Sequence, residues 1–553
     1  MPLTTVPDPP PFSKAGAVPK HDPAYIQAHY PSYLQLQLVQ VFHRHGERTP
    51  ESIRFTSVVP KVWNACQHGN LYHRQFIEAM HRYAHAHPAT AEEADPHRPP
   101  QPNSFVPFRP SPEQGMASGS AQLHDTKHPY LGRMFMDYAK GKVPSTQDIS
   151  GEKLTAASCA YGQLTDIGRD SLTRLGAAFR NIYVDQLGYL PHLHTNPNQM
   201  YLRCSEYTRT FESLHQLLTG LYPEYSPEKV AGTGPGAAQA RKPFTIHVRP
   251  RPQETLIADL TCPRLRQFFK STMSQSSLVI APQWDQFLES HVYPSAIGKD
   301  VRAIREKGGQ YLQTHQVYDT LVALQAHNMP LPRGITPATV DKLEKFAVHE
   351  WMHGMVRNIP YLRILIGRLM NQVMDQMRDK ILLDRLPSKE AEQLTSGSCP
   401  RSDNDHSHPR ELKLSVWSGH DSTMLPILAI FDSHTDQWVP YASNITLELF
   451  KDGHLSAIQR NALRQEGEVI NEANSKRTTD KFAVDKALST TDTSDFFVRV
   501  RYNDDFITIK ECAEANRHHP DMGPSMCTFA AFNDVVRKYI PKDYRTECLS
   551  LEN

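Results

Sequence analysis

Apolar and polar positions along the chain fall into two rhythms. A period of two opens at Leu34-Gln35-Leu36-Gln37-Leu38 and is continued by Val39, Val41 and Phe42, predicting a half-buried strand that runs to about Phe42. Gly46 and Pro50 then force it to end. Further strands are predicted at Gln199–Arg203, Phe244–Val248, Leu412–Trp417, Ile445–Phe450 and Phe496–Tyr502. A period of three to four marks helices. Thr165 and Asp166 can cap one whose apolar positions are Leu172, Leu175, Phe179 and Ile182, and others are predicted around Tyr72–His85, from Glu206 to Leu221 and around Phe529–Ile540. Between Cys262 and Leu386 helical periodicity is almost unbroken, through Tyr311–Leu324, Val340–Val356 and Leu362–Leu382.

Strands alternating with helices predict an α/β fold, and the helical stretch predicts a subdomain of its own. The expected division is an α/β core from 30–60, 155–261 and 395–553, a helical cap subdomain at 262–386, and a proline-rich loop or lid at 86–130. Inserts at Tyr225–Lys242, Pro387–Arg410 and Lys451–Ser494 read as surface excursions. The 553 residues suffice for a large core in two compact units, and the 43 prolines fit long irregular inserts.

A net charge of +1 provides no global field for nucleic acid or another polyanionic partner. No window is apolar enough for a transmembrane segment, since the best short run, Leu362 to Met370, is interrupted by Arg363 and Arg368. The first twelve positions hold six prolines or charged residues and do not read as a secretory leader, so an intracellular, cytoplasmic address is expected, with a mitochondrial one left open. The eight cysteines are widely scattered and are expected mostly reduced. Cys512 and Cys527 are near enough to pair in an oxidising compartment.

Candidate chemistry centres on Val41-Phe42-His43-Arg44-His45-Gly46-Glu47-Arg48-Thr49-Pro50, at the exit of the first strand. Arg44 and Arg48 offer planar, permanently charged forks for phosphate oxygens, and His45 between them has the chemistry to attack phosphorus. By chance, the five fixed residues of RHGxRxP occur on the order of once in a few thousand chains of this length. Arg203 closes the predicted strand Gln199–Arg203, where α/β sheets place ligand-binding groups. His420-Asp421 stands after a strand and before a helix whose free N–H groups favour an anion. The His-Asp pairs at 21 and 124 lack that setting.

A rival lies in His349-Glu350-Trp351-Met352-His353, which fits HExxH and would put two zinc ligands and a base on one helix face. Among 28 histidines that motif is expected by accident at about 0.07 per chain. Val356 and Ile359 also stand where a metzincin would have its glycine and third histidine. A non-catalytic phosphate or phosphoinositide binder is the other alternative.

RHGxRxP at Arg44–Pro50, the arginine in Tyr201-Leu202-Arg203-Cys204-Ser205 and Gly419-His420-Asp421 together resemble the histidine acid phosphatases. Gly162-Gln163-Leu164-Thr165 and Tyr318-Asp319-Thr320-Leu321 add to the resemblance, and the stretch from His420 to Cys548 is most similar to the lysophosphatidic-acid phosphatase subgroup. The resemblance implies a central mixed sheet flanked by helices, with a helical cap. It implies phosphomonoester hydrolysis through a phosphohistidine on His45, with Asp421 as proton donor and Arg44, Arg48, Arg203 and His420 binding the phosphoryl group. No cofactor and no metal are expected, and the substrate would be a small phosphate monoester, a lysophospholipid being one such compound.

Overall fold

The computed structural model describes residues 22–70, 155–223, 244–249, 253–309, 311–385, 411–434, 436–456, 458–463 and 491–549. The expected helix at Tyr72–His85, the loop at 86–130 and most of the three inserts lie outside them. Nine strands form one mixed sheet: β1 (Leu34–Arg44), β2 (Met200–Cys204), β3 (Ile246–Val248), β4 (Leu414–Gly419), β5 (Asn444–Asp452), β6 (Phe496–Tyr502), β7 (Asp505–Ile507), β8 (His518–His519) and β9 (Gly523–Thr528). Their order is β3-β2-β4-β1-β5-β6-β9-β8, with β7 paired to β6. From β3 to β1 neighbours run parallel; from β1 to β5 and beyond they run antiparallel.

The principal helices among the described residues are α1 (Pro23–His29), α2 (Asp166–Phe179), α3 (Thr208–Leu221), α4 (Pro263–Phe287), α5 (Gly298–Gly308), α6 (Thr314–Ala326), α7 (Pro337–Met352), α8 (Ile359–Arg385), α9 (Asp421–Ile430), α10 (Phe529–Arg537) and α11 (Tyr544–Leu549). Thr165 caps α2 as expected, its hydroxyl accepting from the Gly168 N–H. The helix then widens into a π-helical turn over Arg180–Gln186, which carries Ile182. Two expectations shift. The strand expected at Leu412–Trp417 runs on to Gly419, with His420 capping α9 directly after it, and α11 follows what was read as the last helix.

The sheet is buried on both faces, which explains why the period of two fades after Leu38. Leu38 and Phe42 point into a core shared with α6, α7, α8, α9 and α10, whereas Val39 and Val41 point into a second core with α2 and α3. Even Gln40 is enclosed, its amide donating to the Val373 carbonyl and to Gln376 on α8. On β5, buried Glu448 accepts from Tyr30 at 2.6 Å, Tyr183 at 2.8 Å and Arg499 at 2.9 Å, tying α1, α2's extension and β6 to the sheet. Burial alone would raise its pKa, but Arg499 and Arg501 hold it down at about 2.

The expectation of reduced thiols is overturned. Cys66 pairs with Cys159, Cys262 with Cys548 and Cys512 with Cys527, at Cα separations of 5.3, 5.4 and 5.2 Å, all within disulfide range. Sequence spacing hides the first two because their partners are 93 and 286 residues apart. With six of the eight cysteines bridged, the denatured, unreduced protein should titrate at most two thiols, against eight after reduction. Four or more in the unreduced sample would contradict the pairing.

Candidate active site

The motifs that follow β1 and β4 become neighbours because the two strands pair in parallel, Arg44 standing opposite Gly419. Both chains leave the sheet at this edge, and the antiparallel β5 lies on the other side of β1. A crevice therefore forms beyond the carboxyl ends of the parallel strands, the usual ligand position in open α/β sheets. The turn after β1 is pressed tightly onto the start of α2. A Cβ on Gly46 would come 2.3 Å from the Gly168 carbonyl oxygen, and one on Gly168 would come 2.2 Å from that of Glu47. Only glycines allow this approach. Thr165 fixes the contact by donating its N–H and its hydroxyl to the Glu47 carbonyl, and Thr49 donates to the Gln163 carbonyl. The Gly162–Thr165 patch thus has a physical task, which is to hold the first motif.

His45 is 1% exposed. Its Nδ1 lies 2.9 Å from the Gly46 carbonyl oxygen, which can only accept, so the ring proton sits on Nδ1 and the Nε2 lone pair is left free. Burial, and then the charges of Arg209, Arg44 and Arg48, push its pKa well below the ordinary histidine value. The His420 ring stands 5.5 Å away, edge to face. His420 Nε2 shares a hydrogen bond of 2.9 Å with the Ser205 hydroxyl, and burial followed by Arg209 lowers its pKa to about 3. Two neutral imidazoles therefore face each other amid cations.

Each cation has a carboxylate. Arg44 bonds Asp421 at 2.8 Å and the Val439 carbonyl at 2.6 Å, and its guanidinium lies 4.2 Å above the Tyr441 ring. Arg48 bonds Asp319 on α6 at 2.9 Å. Asp421 also accepts from the Trp438 indole at 2.9 Å. Burial would raise the Asp421 pKa, but Arg44, the Trp438 N–H and Arg48 outweigh it and hold the carboxyl at about 2.

Arg203 requires a correction. It lies one residue before the end of β2, and its side chain is wholly buried, bonded to Glu254, to Thr255 at 3.0 Å and to Gln372 at 2.8 Å. On β2 the residues alternate between the two cores, and Arg203 falls on the α8 side, where it meets Gln372. The third arginine beside the imidazoles is Arg209, in the first turn of α3, whose charge weighs on both His45 and His420. The sequence contained a signal for it: a helix starting just after a strand carries its first-turn residues to the same sheet edge as the strand's end. Trp438 and Tyr441 left no comparable pattern.

The HExxH helix has a different occupation. Glu350 accepts from the Gln313 and Thr314 N–H groups at 2.9 Å each, and from the Thr314 hydroxyl, so it caps the start of α6. His349 meets the Ser276 hydroxyl at 3.2 Å. A zinc-bound water would have to compete with that cap for its base.

The chain matches the model of the histidine phosphatase superfamily, branch 2, over residues 35–503, and it belongs to that family. It is a phosphatase, acting on phosphoric monoesters. Among relatives, a protein of Schizosaccharomyces pombe named probable acid phosphatase is 24% identical over 94% of this chain and 95% of its own length. Human lysophosphatidic acid phosphatase type 6 is 23% identical over 52% of this chain and 57% of its own length. Of solved structures, the Hafnia alvei phytase in its apo form aligns with a TM-score of 0.48 at 13% identity, covering 94% of this chain and 99% of that one.

The two arginines should part experimentally. Arg209→Ala is expected to weaken inorganic phosphate binding at least about tenfold with little change in melting temperature, since a charge-assisted contact is lost. Arg203→Ala should instead lower the melting temperature strongly, by stranding Glu254 in the interior. The reverse pattern, by calorimetry and thermal unfolding, would restore Arg203 to the site.

Proposed function

We propose that the chain is an acid phosphatase that works through a phosphohistidine. The observation that carries this reading is the free Nε2 lone pair of a neutral, buried His45 set among Arg44, Arg48 and Arg209, with Asp421 on Arg44. The phosphoryl oxygens are bound by the three arginines and His420, which spread the charge that builds on the transferring group. His45 Nε2 attacks phosphorus. The bond to the leaving oxygen breaks, its electron pair stays on that oxygen, and Asp421 supplies the proton that turns alkoxide into alcohol. Water then attacks the phosphoryl group, gives its proton to the Asp421 carboxylate, and the P–N bond breaks to return the lone pair to His45.

In the resting site Asp421 is ionised, because Arg44 and Trp438 hold its pKa at about 2. The proton must therefore arrive with a monoanionic substrate, whose phosphate has a second pKa of about 6. Binding the phosphate engages the arginines, relaxes their hold and lets the proton pass to Asp421. Raising the pH removes that proton from the free substrate, so kcat/KM should fall above about pH 6. His45→Ala is expected to abolish phosphate release from an aryl phosphate in a folded protein. Asp421→Asn should slow alkyl phosphates far more than aryl phosphates, whose leaving groups scarcely need the acid. Equal losses would remove the proton donor from the reading.

An apolar cleft next to Asp421 supports an amphiphilic substrate such as a lysophospholipid. Leu265, Phe269 and Met273 of α4 face Leu425 and Ser422 of α9, with Trp351 between, around a small apolar cleft partly open to solvent. Trp351 meets Trp438 edge to face at 5.7 Å, one ring away from Asp421. Lysophosphatidate should then exceed glycerol phosphate in kcat/KM by tenfold or more, as several buried methylenes at about 0.8 kcal/mol each require. Parity would exclude the cleft from binding. The three disulfides support an oxidising compartment in place of the cytoplasm, and no described helix is long and apolar enough to cross a membrane.

A further inference from the structure

Glu51, the residue after Arg44-His45-Gly46-Glu47-Arg48-Thr49-Pro50, is the site's outermost carboxylate. Its Oε1 accepts from Arg209 Nη2 at 3.0 Å and lies 3.4 Å from Arg48 Nη2. Its backbone N–H is pinned to Asp319 at 3.0 Å, so the side chain is aimed at those two guanidinium groups by the chain itself. The arginines are enclosed, with side chains 5% and 13% exposed, whereas Glu51 is 53% exposed. It therefore occupies the solvent side of a pair of cations whose inner side faces the imidazoles. The rim's other cation, Arg54, is turned to Asp319 at 3.7 Å and Gln316 at 3.4 Å.

The charges around the crevice pair off as Arg44 with Asp421, Arg48 with Asp319, and Arg209 with Glu51. One phosphoryl group is attracted because it enters on the inner side, at contact distance from the arginines and the His420 ring. A second anionic group on the same substrate would lie on the solvent side, where Glu51 is the most exposed carboxylate of these pairs among the described residues.

We infer that Glu51 is a specificity-determining residue that selects for substrates with a single anionic group and against those with a second phosphate beside the scissile one. The inference rests on the phosphatase reading above and deepens it by naming a class of monoester. A lysophospholipid or another ester with an uncharged leaving group passes the rim; an inositol polyphosphate is repelled there. The device works by charge, so it is sensitive to ionic strength, and its range is about 8–10 Å at ordinary salt.

The test compares Glu51→Gln and Glu51→Asp with the parent protein in two arms. In the first, kcat/KM is measured for p-nitrophenyl phosphate and myo-inositol hexakisphosphate, and the hexakisphosphate-to-monoester ratio is compared between proteins. Glu51→Gln should raise that ratio on the order of tenfold at low salt, with the gain shrinking as salt is added, while Glu51→Asp should keep the parent ratio. In the second, calorimetry follows inorganic sulfate and myo-inositol hexasulfate. This arm needs no turnover, so it stays readable even if the proposed chemistry fails, and it should show the same selective gain for the polyanion. An equal gain for both ligands in Glu51→Gln would mean that Glu51 merely competes for the arginines, and would overturn the inference. So would an unchanged ratio, or a Glu51→Asp that behaves like Glu51→Gln.

Discussion

The structure depends on holding three guanidinium groups and two uncharged imidazoles in one enclosed place. Cations so close together repel, and each loses hydration when buried, so the arrangement survives only because every arginine has a carboxylate at hydrogen-bond distance. Asp421 comes from α9, Asp319 from α6 and Glu51 from the loop after β1, so three separate parts of the chain converge on one charge balance. Burial, reinforced by the same cations, keeps His45 and His420 neutral, because a further positive charge there would be poorly solvated and repelled. A neutral ring with its proton committed to the Gly46 carbonyl is what a nitrogen nucleophile requires.

The sheet makes that convergence possible. Parallel pairing of β1 with β4 brings residues 375 positions apart to the same edge, and the switch to antiparallel pairing at β5 leaves room beyond it. Helices on both faces then bury the strands, and the tight glycine contact between Gly46 and Gly168 keeps the first motif from drifting. The aromatic residues Trp438 and Tyr441 serve the same end. One fixes the Asp421 carboxylate and the other carries the Arg44 guanidinium on its face, so both residues restrict rotamers that would otherwise be lost to solvent.

Much of this was legible before any coordinates. Period-two patterning located five of the longer strands, and RHGxRxP and Gly419-His420-Asp421 identified His45, Arg44, Arg48, His420 and Asp421, all of which the structure brings together. These features are local: a strand's alternation and a turn's composition are written in consecutive residues. Arg203 shows where local reading stops. It stands at the end of a strand exactly as far as sequence can see, but which face of a doubly covered sheet it occupies is set by the pleat and by Glu254, 51 residues away. Arg209 was not among the residues singled out from the sequence.

Sequence alone determined most of the elements, the Arg44–Pro50 motif and the Gly419-His420-Asp421 turn, because each is encoded by neighbours in the chain. Tertiary structure decided which arginine lies beside the two imidazoles, that Glu350 caps a helix, that six cysteines pair, and that Glu51 meets two guanidinium groups. Those outcomes depend on distances between segments far apart in sequence, and electrostatic pairing in an enclosed site varies steeply with such distances.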